Sequence, residues 1–283
     1  MAPCKSSENI TEIVHDHVTE GWKNYITDVP SYHRFNDSRG QWTLQRNHCD
    51  GSKNMKSSLR RQFDESVLLW HLATDLCFYH QEPRPSSQAS RQSREISNYM
   101  VYLLFANPDM LMPGERPSLF TDAYKKLKGM PLDDGEAVPN KKKETPLHKE
   151  ELAQQILIQK LTKDPEAPEG SGFIHRACAL AQELLEIGKQ EDGEEDGAEK
   201  IWRVIQGVWV EILCFSAARC RGYLHAKSMG RGGEYLTYVW LLLLKMGMEP
   251  LAERMQREET QDEGGNGGDA AASPASATDT VED

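Results

Sequence analysis

The residues best suited to chemistry are His71 and Asp75. Four positions apart in an apolar run, they meet on one helix face, where imidazole and carboxylate form an acid/base or metal-orienting pair. Catalysis would need a third group, and Glu211, His225 and Glu234 are the candidates a fold could bring alongside. The plainer alternative is a buried hydrogen-bonded pair, since polar groups on a helix packed from several sides must find partners; on that reading no residue is catalytic. A second constellation, Cys214, Cys220 and His225, has the spacing C-x5-C-x4-H. It lacks the close pairing of structural zinc sites, and six residues of helix turn the two thiols about 120° apart. Neither a metal nor a cofactor is expected.

A third group gathers charge. Arg219, Arg221, Lys227 and Arg231 surround a turn that leads into a helix start, where anions are favoured, so a phospholipid head group or another anion could dock. Against this, Glu234 stands at that helix start, no G-x-x-x-x-G-K-[ST] pattern is present, and too few aromatics interleave with the bases for nucleic acid to be an expected partner. A solvated basic turn, neutralised by acidic segments elsewhere, is the competing reading. The chain has no G-x-S-x-G, H-E-x-x-H, dinucleotide fingerprint or EF-hand loop.

The elements that must position these groups read as helices. The chain has 283 residues, 38% hydrophobic and 27% charged, enough to bury a core and too ordinary in Gly, Pro and Cys for collagen or a disulfide scaffold. Ile10, Ile13, Val14, Val18, Trp22 and Ile26 recur at helical spacing over residues 10–26. Residues 30–59, rich in Asn, Ser, Gly and Arg, read as loop anchored by Trp42 and Leu44. Asp64 is a candidate N-cap for an apolar helix over 65–79 that Pro83 and Pro85 end. A Ser- and Arg-rich loop over 86–94 precedes a helix over 96–106, closed by Asn107-Pro108, and a short helix is expected at 120–127. Further helices are expected from Thr145-Pro146 to Leu161 and over 173–187, the latter capped by a left-handed Gly188. Ile201, Ile205, Val208, Trp209, Ile212 and Phe215 mark the clearest helix, Gly222 and Gly230 to Gly233 read as turns, and Glu234 opens a last helix to Met248.

The expected architecture is therefore all-α: an irregular helical bundle with a disordered acidic loop and C-terminal tail. Its parts are an N-terminal helical portion (1–128), a flexible linker (129–145), a C-terminal helical portion (146–248) and a disordered tail (249–283). Charge is uneven. Residues 249–283 hold ten acids and two bases, and 189–199 six acids and one base, so the net charge of −11 leaves about +2 on everything else. The six cysteines, without a C-x-x-C pair, read as reduced core thiols. No apolar stretch follows the N-terminus, and the longest uncharged apolar runs, 96–108 and 235–244, fall short of the roughly 20 residues that cross a bilayer.

Three stretches together carry a family resemblance. They are Phe63-Asp64-Glu65-Ser66 running into Leu69-Trp70-His71 and Asp75-Leu76-Cys77; Ser97-Asn98-Tyr99-Met100 with Pro108; and Trp209-Val210-Glu211 through Cys220-Arg221-Gly222, His225, Gly232-Gly233-Glu234 and Trp240. They resemble the plant family carrying domain of unknown function 594, best over residues 58–112 and 199–248. The resemblance implies relatives in which this region follows domain of unknown function 4220, a membrane-spanning portion, with no activity established for either. That portion has no counterpart in this sequence, which fits a truncated product or an incomplete gene model. The expected function is a non-enzymatic helical protein-interaction module, cytoplasmic and peripheral to a membrane. The alternatives are an anionic-lipid binder acting through Arg219, Arg221, Lys227 and Arg231, and an enzyme built on the His/Asp/Glu groups.

Overall fold

The computed structural model describes residues 5–81, 85–111, 172–189 and 197–248, and every regular element among them is helical. In chain order these are α1 (Lys5–Asn24), α2 (Val29–Asn36), α3 (Gln41–Arg46), α4 (Lys53–Arg60), α5 (Phe63–His80), α6 (Gln88–Ala106) followed by a 3-10 turn (Pro108–Met110), α7 (Phe173–Ile187), α8 (Gly197–Arg219), α9 (Gly222–Lys227) and α10 (Glu234–Lys245). The all-α expectation holds. The readings at 120–127, 129–145, 146–161 and 249–283, and the acidic loop at 190–196, lie outside the described residues.

The longest periodic patterns became the central helices. α8 runs through the middle of the molecule with Ile201, Trp202, Ile205, Val208, Trp209 and Ile212 all buried, packed against α6, α3, α10, α1 and α7, while α5 packs on α6 and α7. By length and composition α8 could cross a membrane, but 83% of its apolar window is buried inside the protein, the behaviour of a core helix. Apolar side chains from Ile10 to Met248 form one cluster, so the N- and C-terminal portions share a core. Three fully buried tryptophans anchor it, and each indole N–H has an acceptor: Trp70 donates to Ser58 Oγ (3.0 Å), Trp202 to Gln81 Oε1 (2.9 Å) and Trp209 to Thr74 Oγ1 (2.9 Å).

Several local expectations are corrected. The stretch read as loop over 30–59 contains α2, α3 and α4. Helices of six to eight residues complete barely two turns, too few for a repeat to emerge. Caps mark α2 and α4 instead: Asp28 accepts from the Ser31 amide (2.7 Å) while Ser31 Oγ accepts from the Asp28 amide (3.0 Å), and Ser52 Oγ accepts from the Met55 amide (3.1 Å). The polar 86–94 segment is mostly the first half of α6, capped by Ser87. α5 begins at Phe63, ahead of Asp64, whose carboxylate accepts from the adjacent Glu65 amide (2.8 Å) and is not the N-cap. Gly222 opens a helix. Gly188 caps α7 with φ −74°, not left-handed; glycine suits the position because a Cβ would lie 2.9 Å from the Gly197 carbonyl oxygen. Trp22, expected inside, is 42% exposed and donates its indole N–H to the Met246 carbonyl (3.0 Å).

Candidate functional site

His71 and Asp75 do share the α5 face that meets α6, but each bonds to α6 and not to the other. His71 Nδ1 lies 2.8 Å from Ser97 Oγ, and burial pushes its pKa down, the Arg94 charge adding to this and Asp75 opposing it. Asp75 pairs with Arg94 (3.3 Å), whose guanidinium lies 4.0 Å over the Phe78 ring and donates to Tyr79 Oη (3.2 Å). The result is a polar stitch between two packed helices.

Glu211 is 1% exposed and committed elsewhere. Its carboxylate accepts from the amides of Gly40 (2.5 Å) and Thr43 (2.6 Å), from Thr43 Oγ1 (2.5 Å) and from Ser38 Oγ. The N-cap Gly40 of α3 offers no side chain and enters at φ +125°, a conformation that favours glycine; from the same segment Ser38 Oγ accepts from the Trp42 amide (3.1 Å). Glu211 therefore caps α3 from across the core, supplying negative charge to the free amides and positive end of that helix. Burial pushes its carboxyl pKa up; the hydrogen bonds from Ser38, Thr43 and Gly40 work in the opposite direction.

His225, 1% exposed, stacks on Trp240 (4.6 Å between ring centroids) with Nδ1 3.0 Å from Thr237 Oγ1. Thr237 donates to the Gly233 carbonyl (2.8 Å), so the imidazole N–H donates to Thr237. Burial lowers its pKa, against the Ala217 carbonyl. Exposed Glu234 accepts from the Gly230 amide (2.5 Å) and pins the preceding turn. The five sequence-derived chemical candidates are thus held by four different sets of neighbours, with no bond joining His71 or Asp75 to Glu211, His225 or Glu234. Among the described residues, no group of three His, Cys, Asp or Glu is placed to hold a metal ion. The described cysteines are all free; Cys220 Sγ lies 3.8 Å from the Arg221 carbonyl, and burial raises its pKa to about 12.

The basic turn divides. Arg219 pairs with Asp37 (2.8 Å) and lies 3.5 Å over the Phe215 ring, so it serves the scaffold. Arg221, Lys227 and Arg231 are exposed. Around them stand exposed apolar side chains: Tyr223 at the start of α9, Met229 in the turn, and Tyr102 and Phe105 at the end of α6. The backbone beneath is fixed. Tyr102 Oη (3.3 Å) and Asn107 Nδ2 (2.7 Å) donate to the Arg231 carbonyl, Tyr99 Oη donates to the Gly232 carbonyl (3.1 Å), and left-handed Gly230 and Gly232 make the reversals.

A cleft of about 790 Å³ had no counterpart in the sequence reading. It lies where the α3–α4 connection meets the end of α7 and the start of α8, and its described lining includes Arg46, Cys49, Met55, Glu183, Glu186, Ile187, Lys200 and Arg203. Three segments distant in sequence make it, so no single motif announces it; the only local signals are turn-forming Asn47, His48 and Gly51 around Cys49.

Residues 194–248 match the family model described as protein of unknown function, DUF594. The match bears out the resemblance read from Trp209 to Trp240, and it does not reach the 58–112 stretch. No curated protein and no solved structure matches the chain.

Proposed function

We propose that this chain, which carries a DUF594 region at residues 194–248, is a non-enzymatic helical interaction module whose docking face is the ridge made by α9, the 228–233 turn and the end of α6. The observation behind this reading is the placement of exposed Tyr102, Phe105, Tyr223 and Met229 beside exposed Arg221, Lys227 and Arg231 on a turn held by three side chains of the α6 end. Exposed aromatic and Met side chains mixed with Arg are the composition of a contact surface. A protein partner offering acidic and apolar side chains fits it. The groups that could run an enzyme are instead spent on scaffold bonds, which argues for binding over turnover.

The test compares native affinity capture by the unaltered chain, by a face variant (Arg221→Ser, Lys227→Ser, Arg231→Ser, Tyr223→Ser, Met229→Ser) and by a control at exposed positions of α4 (Lys56→Ser, Arg60→Ser). The expected outcome is a partner retained by the control and lost by the face variant. A partner kept by both, or turnover of a small molecule by the pure protein, overturns the reading.

The same cations and aromatics favour a second reading, peripheral docking on an anionic membrane at the cytoplasmic face. Arg and Lys near such a surface are attracted to acidic head groups while aromatic rings sit at the interface. Flotation with phosphatidylserine vesicles distinguishes the two: salt-sensitive binding abolished by the three basic substitutions supports it, and no binding removes it.

A further inference from the structure

We infer that the cleft lined by the α3–α4 connection, the end of α7 and the start of α8 binds a small zwitterion carrying an apolar side chain, of the kind a free amino acid presents. Its volume, about 790 Å³, lies in the range of pockets that enclose small organic ligands. The floor is apolar: Met55, Ile187 and Cys49 are buried there. The Cys49 thiol is pushed up by burial, which suits a packing role and not a nucleophile.

The rim carries both signs of charge, the acids from α7 and the bases from α3 and α8. Toward α4 and α7, Glu183 accepts from Ser52 Oγ and from Asn54 Nδ2 (2.6 Å), so its carboxylate is set in place before any ligand arrives. Glu186, three residues on, lines the same opening, and its side chain has no hydrogen bond or ion pair among the described residues. Toward α3 and α8, Arg46 is fixed by Glu20 and stacks 4.5 Å over the Trp42 ring, and its Nη2 lies near Gly207 of α8. Lys200 stands close enough to Cys49 for its charge to act on the thiol, and it too has no hydrogen bond or ion pair among the described residues. Arg203, three residues further along α8, adds a third cation to the lining.

This lining selects by charge pattern. A simple anion would meet Glu183 and Glu186, and a simple cation would meet Arg46, Lys200 and Arg203, each leaving one wall opposed by like charge. A molecule with an ammonium at one end and a carboxylate at the other pairs both walls, and the apolar floor takes its carbon skeleton. The cleft is separate from the docking face on α9 and α6, so it stands or falls independently of the proposed interaction.

The experiment uses the whole purified chain and ligand-observed NMR with L-methionine and L-leucine, followed by their N-acetyl and carboxamide forms. Saturable binding of an unblocked amino acid in the millimolar range or tighter is expected, weakened about tenfold or more when either end is blocked, the scale of one charge-assisted contact. Lys200→Ala, at a half-buried position, and Glu186→Ala, at an exposed one, should weaken it comparably while leaving the melting temperature unchanged. If neither amino acid binds saturably, if the blocked forms bind equally well, or if both variants bind like the parent, the inference fails.

Discussion

Glu211 and His225 both lie in the segment that matches the DUF594 model and both are 1% exposed, yet the two halves of that segment use their buried polar groups in opposite ways. The α8 half reaches across the molecule: Glu211 holds Ser38, Gly40 and Thr43, and Trp209 holds Thr74 of α5. The α9–α10 half mostly closes on itself: His225 bonds to Thr237 and stacks on Trp240, and Glu234 holds Gly230. The first half organises the fold of residues far away, and the second builds a stiff platform and displays its charges. A polar residue's burial alone therefore does not reveal its role; the sequence separation of its partners does.

Removing Glu211 should break the comparison most visibly. Glu211→Ala leaves two amides and two hydroxyls facing a dry gap, and loss of one partner from a buried charged network costs about 3–5 kcal/mol. Chemical denaturation should register that loss, and proteolysis should find residues 36–47 first. A loss below about 1 kcal/mol would mean that α3 is capped by something else.

Acidification probes the N-terminal elements that Glu211 organises. His17 is buried against Phe35 and Trp42, ring centroids 5.1 and 5.0 Å away, and burial, with the Arg46 charge, lowers its pKa from 6.5 to about 3. Because the folded value lies below the unfolded one, the unfolded chain binds the extra proton between them. Stability is thus fully present above pH 6.5 and drains away as pH falls toward 3, with a limiting slope of about 1.4 kcal/mol per pH unit for one proton. His17→Phe should flatten that part of the pH–stability curve; an unchanged slope would remove His17 as its source.

On the platform side, His225→Ala should cost less, about 1–3 kcal/mol, from the lost stacking on Trp240 and the lost hydrogen bond to Thr237 Oγ1, whose hydroxyl keeps its bond to the Gly233 carbonyl. Its effect should stay local, with hydrogen exchange rising in α9 and the start of α10 and unchanged in α3. Protection lost in both regions would erase the distinction between the halves.

How much of this was legible depended on the length scale of each signal. α7, α8 and α10 repeat an apolar face for three or more turns and α5 is apolar almost all round, so their existence followed from spacing and length. α2, α3 and α4 are too short to repeat, and the segment leading into α3 offers its first turn only Ser38 Oγ, while Glu211 holds the Thr43 amide from 168 positions away. His71 and Asp75 were rightly placed on one face, but their partners Ser97 and Arg94 sit on a helix whose first half looked like loop. The basic turn was readable as a cluster, whereas the withdrawal of Arg219 onto Phe215 and Asp37 needed the fold.

The smallest effects should fall on the face that matters most for binding. Lys227 and Arg231 are exposed, and neither side chain has an ion pair or hydrogen bond among the described residues. Replacing either with Ser should move stability by less than about 0.5 kcal/mol, the usual range for surface positions without structural bonds. Arg219→Ser, about two turns from Glu211, should cost more, because a guanidinium packed on Phe215 and paired with Asp37 is part of the scaffold. Thermal melts of the three single variants check the ordering. If Lys227 and Arg231 prove as costly as Arg219, their charges are bound into the fold, and the α9 turn loses its standing as a surface free to meet a partner.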